Sequence, residues 1–265
     1  YLKDPEFARL QTEGEWIANQ IHRSPDADVF NPVLVDFYRQ IGFLPDAILN
    51  YLLLLGWSLD DSTELFTSQE MIEAFTLQRV NKSPASFDPG KLQSFQEKWF
   101  QRLDEKKKLA LCVPYLQQAG LITSPPDCSL APRLTAILAA AGDRIKIAGD
   151  ILRFTEFFVS DEALEYEKKP FAKRFRSAEV VDRLGRLRDC LAGLDSFDAA
   201  HCEATIREFV ESEGIKIGEI IHALRVAVTG KATGVGMFET LEILGCESVL
   251  CRIERAIRIA REVEA

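Results

Sequence analysis

The chain has 265 residues, room for two domains, and its 47% apolar and 28% charged side chains exclude a disordered or low-complexity protein. A net charge of −9 argues against a surface uniformly suited to nucleic acid, because phosphate contacts need local Lys and Arg. The longest apolar run, Leu52–Leu55 with its flanks, is far too short to cross a bilayer, and no basic region leads an apolar one as in a secretory signal.

Tyr1 opens the chain where Met is usual, so a fragment or a processed chain is expected. Residues 1–31, with Trp16, Ile17 and Ile21 among scattered charges, read as a helical segment of their own. Beyond it the apolar spacing predicts helices over 32–41, 45–56, 68–75, 89–103, 106–119, 130–141, 143–158, 178–193, 198–213, 216–229, 237–244 and 246–262. Strand-type alternation is hard to find, so the expected fold class is all-α. Pro45 and Asp46 start the helix at 45 and Gly56 ends it. Apolar residues surround that helix, which predicts burial on nearly all sides. Ser83-Pro84, Ser124-Pro125-Pro126-Asp127 and the run from Thr229 to Gly234 break the pattern. Asp127 or Ser129 is placed to cap the helix after the diproline, and Asp198 the helix near 198–213.

Cysteines at 112, 128, 190, 202, 246 and 251 form no C-x-x-C pair, and His22, His201 and His222 are too scattered for a zinc pattern. Buried structural thiols in a reducing compartment are expected, with no metal site. The chain lacks G-x-S-x-G, H-E-x-x-H, a Walker-type phosphate loop and G-x-G-x-x-G. Its carboxylates stand at helical spacing beside Lys and Arg, as solvent-facing pairs do, so no catalytic residue is assigned.

Two stretches depart from this plain surface. From Lys168 to Arg188 there are eight basic residues (Lys168, Lys169, Lys173, Arg174, Arg176, Arg183, Arg186, Arg188) against Glu179 and Asp182. Such a run is either a solvated helix face or a surface that steers a polyanion. In the helix 216–229, Ile217, Ile220, Ile221, Leu224 and Val228 share one face at 100° per residue. Gly218, His222, Arg225 and Thr229 form a stripe beside it. Small, ring and guanidinium groups let an unstacked base approach, stack and accept hydrogen bonds. Met237 and Phe238, after the Gly-rich loop, would supply an apolar wall. The plain alternative is a helix border with Arg225 pairing a carboxylate.

The wording of three segments carries a resemblance. Gly42-Phe43-Leu44-Pro45-Asp46 through Leu55-Gly56-Trp57, then Val80-Asn81-Lys82-Ser83-Pro84 through Lys91-Leu92, resemble the linker between catalytic core and anticodon-binding region in bacterial glutamyl-tRNA synthetases. Gly214 through Gly230, Gly236-Met237-Phe238-Glu239 and Ile243-Leu244-Gly245 resemble that family's C-terminal anticodon region, with Val235 where the family usually has proline. Asp143-Arg144-Ile145-Lys146 through Phe158 aligns more weakly. The resemblance implies a poorly matched segment at 1–31 and a stem-contact region at 32–125. Anticodon-binding subdomains would follow at 126–194 and 195–265, together an α-helix cage.

The resemblance also implies roles. Arg144, in the first turn of a helix, would select C over G at the last anticodon base, with Lys146 as a phosphate contact. His222, Arg225, Met237 and Phe238 would read splayed bases. Lys82 and Lys91 would approach the tRNA stem, while Lys168, Lys169, Lys173, Arg174 and Arg176 hold backbone phosphate. The two class I ATP signatures are not in this chain, so the resemblance puts ATP and Mg2+ with a catalytic domain on its N-terminal side and no cofactor here. It implies glutamate tRNA and that catalytic domain as partners, a monomer without membrane contact, and the cytoplasm. A glutaminyl enzyme is disfavoured, because its anticodon region is a β-barrel. A catalytically idle synthetase-derived RNA-binding protein and a helical scaffold for protein partners are the other readings.

Overall fold

The computed structural model describes residues 4–26, 30–82 and 84–264. Among them every regular element is a helix, as the spacing predicts, and the chain divides into two compact units. The first is Tyr1–Ala131 with Gly142–Arg153; the second is Pro132–Ala141 with Phe154–Ala265.

In the first unit α1 (Pro5–Gln20), α2 (Val35–Ile41), α3 (Pro45–Leu53), α4 (Ser68–Ala74), α5 (Pro89–Arg102) and α6 (Glu105–Gln118) follow in order. Their starts are written locally. Asp4, Asp88 and Asp104 accept the backbone N–H of Glu6, Lys91 and Lys107 at 2.8–2.9 Å, each satisfying a donor the first turn leaves open. Leu10 and Ile17 of α1, Phe37 and Ile41 of α2, Tyr51 of α3, and Leu92, Phe95 and Phe100 of α5 fill the core. Two buried amides tie loops to it. Asn50 donates to the Glu64 carbonyl and accepts from Phe66 N and Trp99 Nε1; Gln96 accepts from Leu44 N and donates to the Lys146 carbonyl, both at 2.8 Å.

Three expectations change here. The helix at 45 ends at Leu53 and is not buried all round: Leu49 is 50% and Leu52 45% exposed, while Ala47, Asn50 and Tyr51 face inward. The helix predicted over 143–158 is a 3-10 turn at Gly142–Arg144, a break, and a 3-10 segment Ala148–Phe157. The break has a cause. The Asp150 carboxylate accepts the N–H of both Lys146 and Ile147, at 3.0 and 3.1 Å, and so starts a new turn in mid-sequence. Gln96 ties this stretch to α5, and residues 142–153 fall in the first unit, whereas the expected domain borders put them with 126–194. Third, of the thiols only Cys112 and Cys202 are buried; Cys190 and Cys251 are exposed and Cys246 half-buried. The side chain of Cys128 lies outside the described ones.

The second unit holds α7 (Ala131–Ala141) from Pro132 onward, α8 (Lys168–Arg174), α9 (Ala178–Ala192), α10 (Ala199–Ser212), α11 (Ile217–Thr229), α12 (Met237–Leu244) and α13 (Cys246–Glu264). Asp198 caps α10, accepting His201 N at 2.9 Å. α11 is central and packs on α8, α9, α10, α12 and α13. Ile220, Leu224 and Val228 enter the core with Leu184, Leu187, Ile206, Leu241, Val249 and Ile253. α8 is not among the helices that apolar spacing predicts, because its sequence shows mainly charge.

Candidate nucleic-acid interface

α11 sets the geometry. Its inward face is apolar, while Gly218 and His222 are exposed and Arg225 is half-buried beside them. A side chain at Gly218 would meet no atom within 4 Å, so that end of the stripe is open. Thr229 leaves the stripe: it is 1% exposed, and its hydroxyl donates back to the Arg225 carbonyl at 2.7 Å. Arg225 Nη1 donates to the Val235 carbonyl at 2.7 Å, fixing the loop at the residue where the resembled family usually has proline. Val235 itself is buried. Met237 is only 6% exposed and packs inward; Phe238, half-buried, is the part of the expected apolar wall that reaches the surface.

α8 lies against α11 for an identifiable reason. Phe171 stacks on Phe175 with centroids 4.3 Å apart and meets Tyr166 at 4.8 Å, giving a short basic helix an aromatic underside. The N–H of Glu167 then donates to the Gly230 carbonyl at 2.8 Å, joining the start of α8 to the end of α11. This docking brings positive charge to the imidazole of His222. Partial burial, then the charges of Arg174, Arg225 and Lys173, hold its pKa below the ordinary histidine value.

The basic run divides in two. Arg183 pairs with Glu179 at 2.6 Å and Glu219 at 3.5 Å, Arg186 with Glu213 at 2.5 Å, and Arg188 with Asp189 at 2.7 Å. These α9 arginines are neutralised. Among the described residues Lys168, Lys169, Lys173, Arg174 and Arg176 form no ion pair within 4.0 Å, so the field is concentrated on α8 and its C-terminal end. Sequence spacing does not put α8 beside His222; Phe171 and Phe175, one helical turn apart, are the signal in the sequence that α8 has a face to bury. A cleft of about 410 Å³ lies in the same unit, lined by Thr155, Tyr166, Thr229 and others. It holds the buried carboxylate of Glu156, paired to Lys231 Nζ at 2.7 Å.

Arg144 and Lys146 belong to the first unit. Arg144 is exposed at the end of a 3-10 turn, not in the first turn of an α-helix, and forms no ion pair among the described residues. Lys146 is exposed too, but its Nζ is 2.8 Å from Glu97 Oε2, which takes up the charge expected for a phosphate. Lys82 and Lys91 are exposed on the same unit. Among the described residues no three His, Cys, Asp or Glu side chains gather as metal ligands would.

Comparison with known proteins bears on this surface directly. Residues 107–257 match the family described as "Anticodon binding domain", and residues 30–94 match "tRNA synthetases class I (E and Q), catalytic domain". The second match overlaps the stretch expected to be a stem-contact linker. The chain is 35% identical to a glutamate–tRNA ligase of Moorella thermoacetica over 86% of its own length and 46% of that protein. It is 34% identical to that of Roseiflexus castenholzii over 98% of its length and 51% of that protein. A solved glutamate tRNA ligase from Elizabethkingia meningosepticum, in complex with its amino acid, superposes with a TM-score of 0.74 at 26% identity, covering 83% of this chain and 42% of that one. The chain thus spans about half the length of the curated relatives it matches. An all-helical second unit, an arginine- and histidine-bearing α11 and these matches lead to one conclusion: the chain belongs to the glutamyl-tRNA synthetase family and carries that family's anticodon-binding domain.

Proposed function

We propose that this chain is the tRNA-recognition part of a glutamate–tRNA ligase, an enzyme of the cytoplasm that uses ATP to attach glutamate to its tRNA. The chain works as a monomer with the enzyme's catalytic domain and is inactive in glutamylation alone. The observation that carries this reading is the cationic surface of α8, without carboxylate partners, beside His222 and Arg225 and inside the stretch that matches an anticodon-binding domain. Cations left without carboxylate partners exchange counterions for phosphate without first giving up an ion pair. Gly218, His222 and Phe238 offer room and flat faces to unstacked bases, while Lys173 and Arg174 hold the backbone. Arg144 retains the role of selecting the last anticodon base, supported by the exposure of its guanidinium. Lys82 and Lys91 face the stem.

The test is a titration of the chain with glutamate tRNA and glutamine tRNA at two salt concentrations. Affinity is expected to fall with salt. Replacing Lys173 and Arg174 by alanine removes about 0.7–0.9 from the logarithmic slope for each phosphate no longer neutralised. Arg144→Gln is expected to erase a preference of about 1–3 kcal/mol for the glutamate tRNA. Binding indifferent to both salt and tRNA would sink the reading. Equal binding to both tRNAs, unchanged in Arg144→Gln, would remove only the selection.

A further inference from the structure

Two carboxylates are buried among the described residues, Asp150 in the first unit and Glu156 in the second. Asp150 is accounted for by the two backbone N–H groups it accepts. Glu156, 2% exposed, reaches instead to another element. Its Oε2 accepts from Lys231 Nζ at 2.7 Å, and the same Nζ lies 3.3 Å from Thr155 Oγ1. Its Oε1 stands 3.8 Å from the point that a Cβ on Gly234 would occupy, and Arg225 Nη1 stands 3.4 Å from that same point. The carboxylate and the Arg225 guanidinium therefore flank Gly234. The backbone beneath Glu156 is fixed as well, since its carbonyl accepts from Arg252 Nη1 at 2.9 Å.

A buried ion pair is a poor source of stability, because the desolvation of both charges offsets most of their attraction. Its use lies in what it holds in register. Here that is the loop between α11 and α12. Lys231 N donates to the Thr229 hydroxyl at 3.2 Å, and farther along the loop the Val235 carbonyl accepts from Arg225. The loop then delivers Phe238, in the first turn of α12. We propose that Glu156 is a positioning residue for base reading. Through Lys231 and Gly234 it sets the loop 230–236, and with it the direction in which Arg225 and Phe238 face an unstacked base. A guanidinium selects a base edge only when its donors point along fixed lines, so a residue that touches no base still decides the selection. The proposal deepens the tRNA reading of this surface and rests on it.

The test titrates the full chain with glutamate tRNA and with three versions of it, each carrying one replaced anticodon base. The double variant Glu156→Gln, Lys231→Met removes both charges at once. Such a replacement is often close to neutral for folding, whereas either change alone strands a charge. Its thermal midpoint should hold. Selection at the first or the middle base should fall about tenfold, within the range that a base-edge contact supplies. Selection at the last base, assigned above to Arg144 in the first unit, should stay, and so should the salt slope. In a chain with labelled glycine, the amide signals of Gly234 and Gly236 should move while those of Gly193 and Gly214 do not. Selection lost alike at all three bases, with a lowered midpoint, would make the pair merely structural and overturn the proposal. Selection unchanged at the first two bases would overturn it too. A wild-type chain indifferent to those two bases removes this proposal alone; indifference to all three, without a salt slope, sinks the tRNA reading as well.

Discussion

Arg252→Met is expected to lower the stability of the second unit by about 3–5 kcal/mol, read as a shift in the urea midpoint with unchanged slope. The side chain is 1% exposed, yet it is fully engaged. Its Nε donates to Asp161 Oδ1 at 2.6 Å, Nη1 to the carbonyls of Glu156 and Val228 at 2.9 Å each, and Nη2 to the Val159 carbonyl at 3.1 Å. Val228 lies in the last turn of α11, where carbonyls lack a partner within the helix, so α13 supplies the cap. Methionine fills much of the volume but leaves three backbone acceptors and a carboxylate without their donor. That asymmetry makes breaking a buried pair far costlier than the pair is worth. One effect runs the other way. Arg133 is partly buried and feels the charge of Arg252, so its own ionised form is eased in the variant. Arg261→Gln removes an exposed pair with Asp182 and serves as the control, at about 0–1 kcal/mol. An Arg252→Met effect no larger than the control would show that the network is not what holds residues 156–161 to α11.

How much of this is legible in the sequence depends on how far apart the interacting groups are along the chain. Ile220, Leu224 and Val228 declare the inner face of α11 because a helix repeats locally, and Asp198 declares the cap of α10 for the same reason. The neighbours of Arg186 cannot be read that way. Its partner is Glu213, 27 residues on, and that pairing turns part of a basic run into a neutral surface. For Arg225 the sequence suggests base reading or a carboxylate pair, and in the fold its guanidinium also holds the carbonyl of Val235. Met237 follows a glycine-rich loop, as a wall residue would, yet the helix it begins turns it inward. The break near residue 146 is set by a side chain, Asp150, competing for backbone N–H groups, which periodicity does not detect. The all-round apolar sequence of α3 misleads in the opposite direction. Only Ala47, Asn50 and Tyr51 turn toward the core, and Leu49 and Leu52 stay exposed on the opposite side.

Gly230→Ala is expected to cost about 2–4 kcal/mol and, unlike Arg252→Met, to act on the recognition surface directly. Gly230 ends α11 at φ +74°, a conformation that L side chains rarely adopt. A Cβ there would stand 2.0 Å from the Glu165 carbonyl oxygen and 3.1 Å from its carbon. Those are backbone atoms, so no rotamer change relieves the clash; the stretch of chain entering α8 must move. With it goes the bond from Glu167 N to Gly230 O that joins α8 to α11. Once α8 withdraws, His222 loses both its partial burial and the charges of Arg174 and Lys173. Its pKa should therefore rise toward the ordinary value of about 6.5, which a proton NMR titration reads directly. On the proposed reading, affinity for tRNA should fall, with a shallower salt slope, because the cations of α8 no longer stand beside His222 and Arg225. Gly214→Ala separates strain from contact. Gly214 has φ +64° but nothing within 4 Å of its missing Cβ, so it should show only the conformational cost of about 1–2 kcal/mol and leave the His222 titration in place. If the two alanine variants behave alike, the close approach of Glu165 to Gly230 does not position α8.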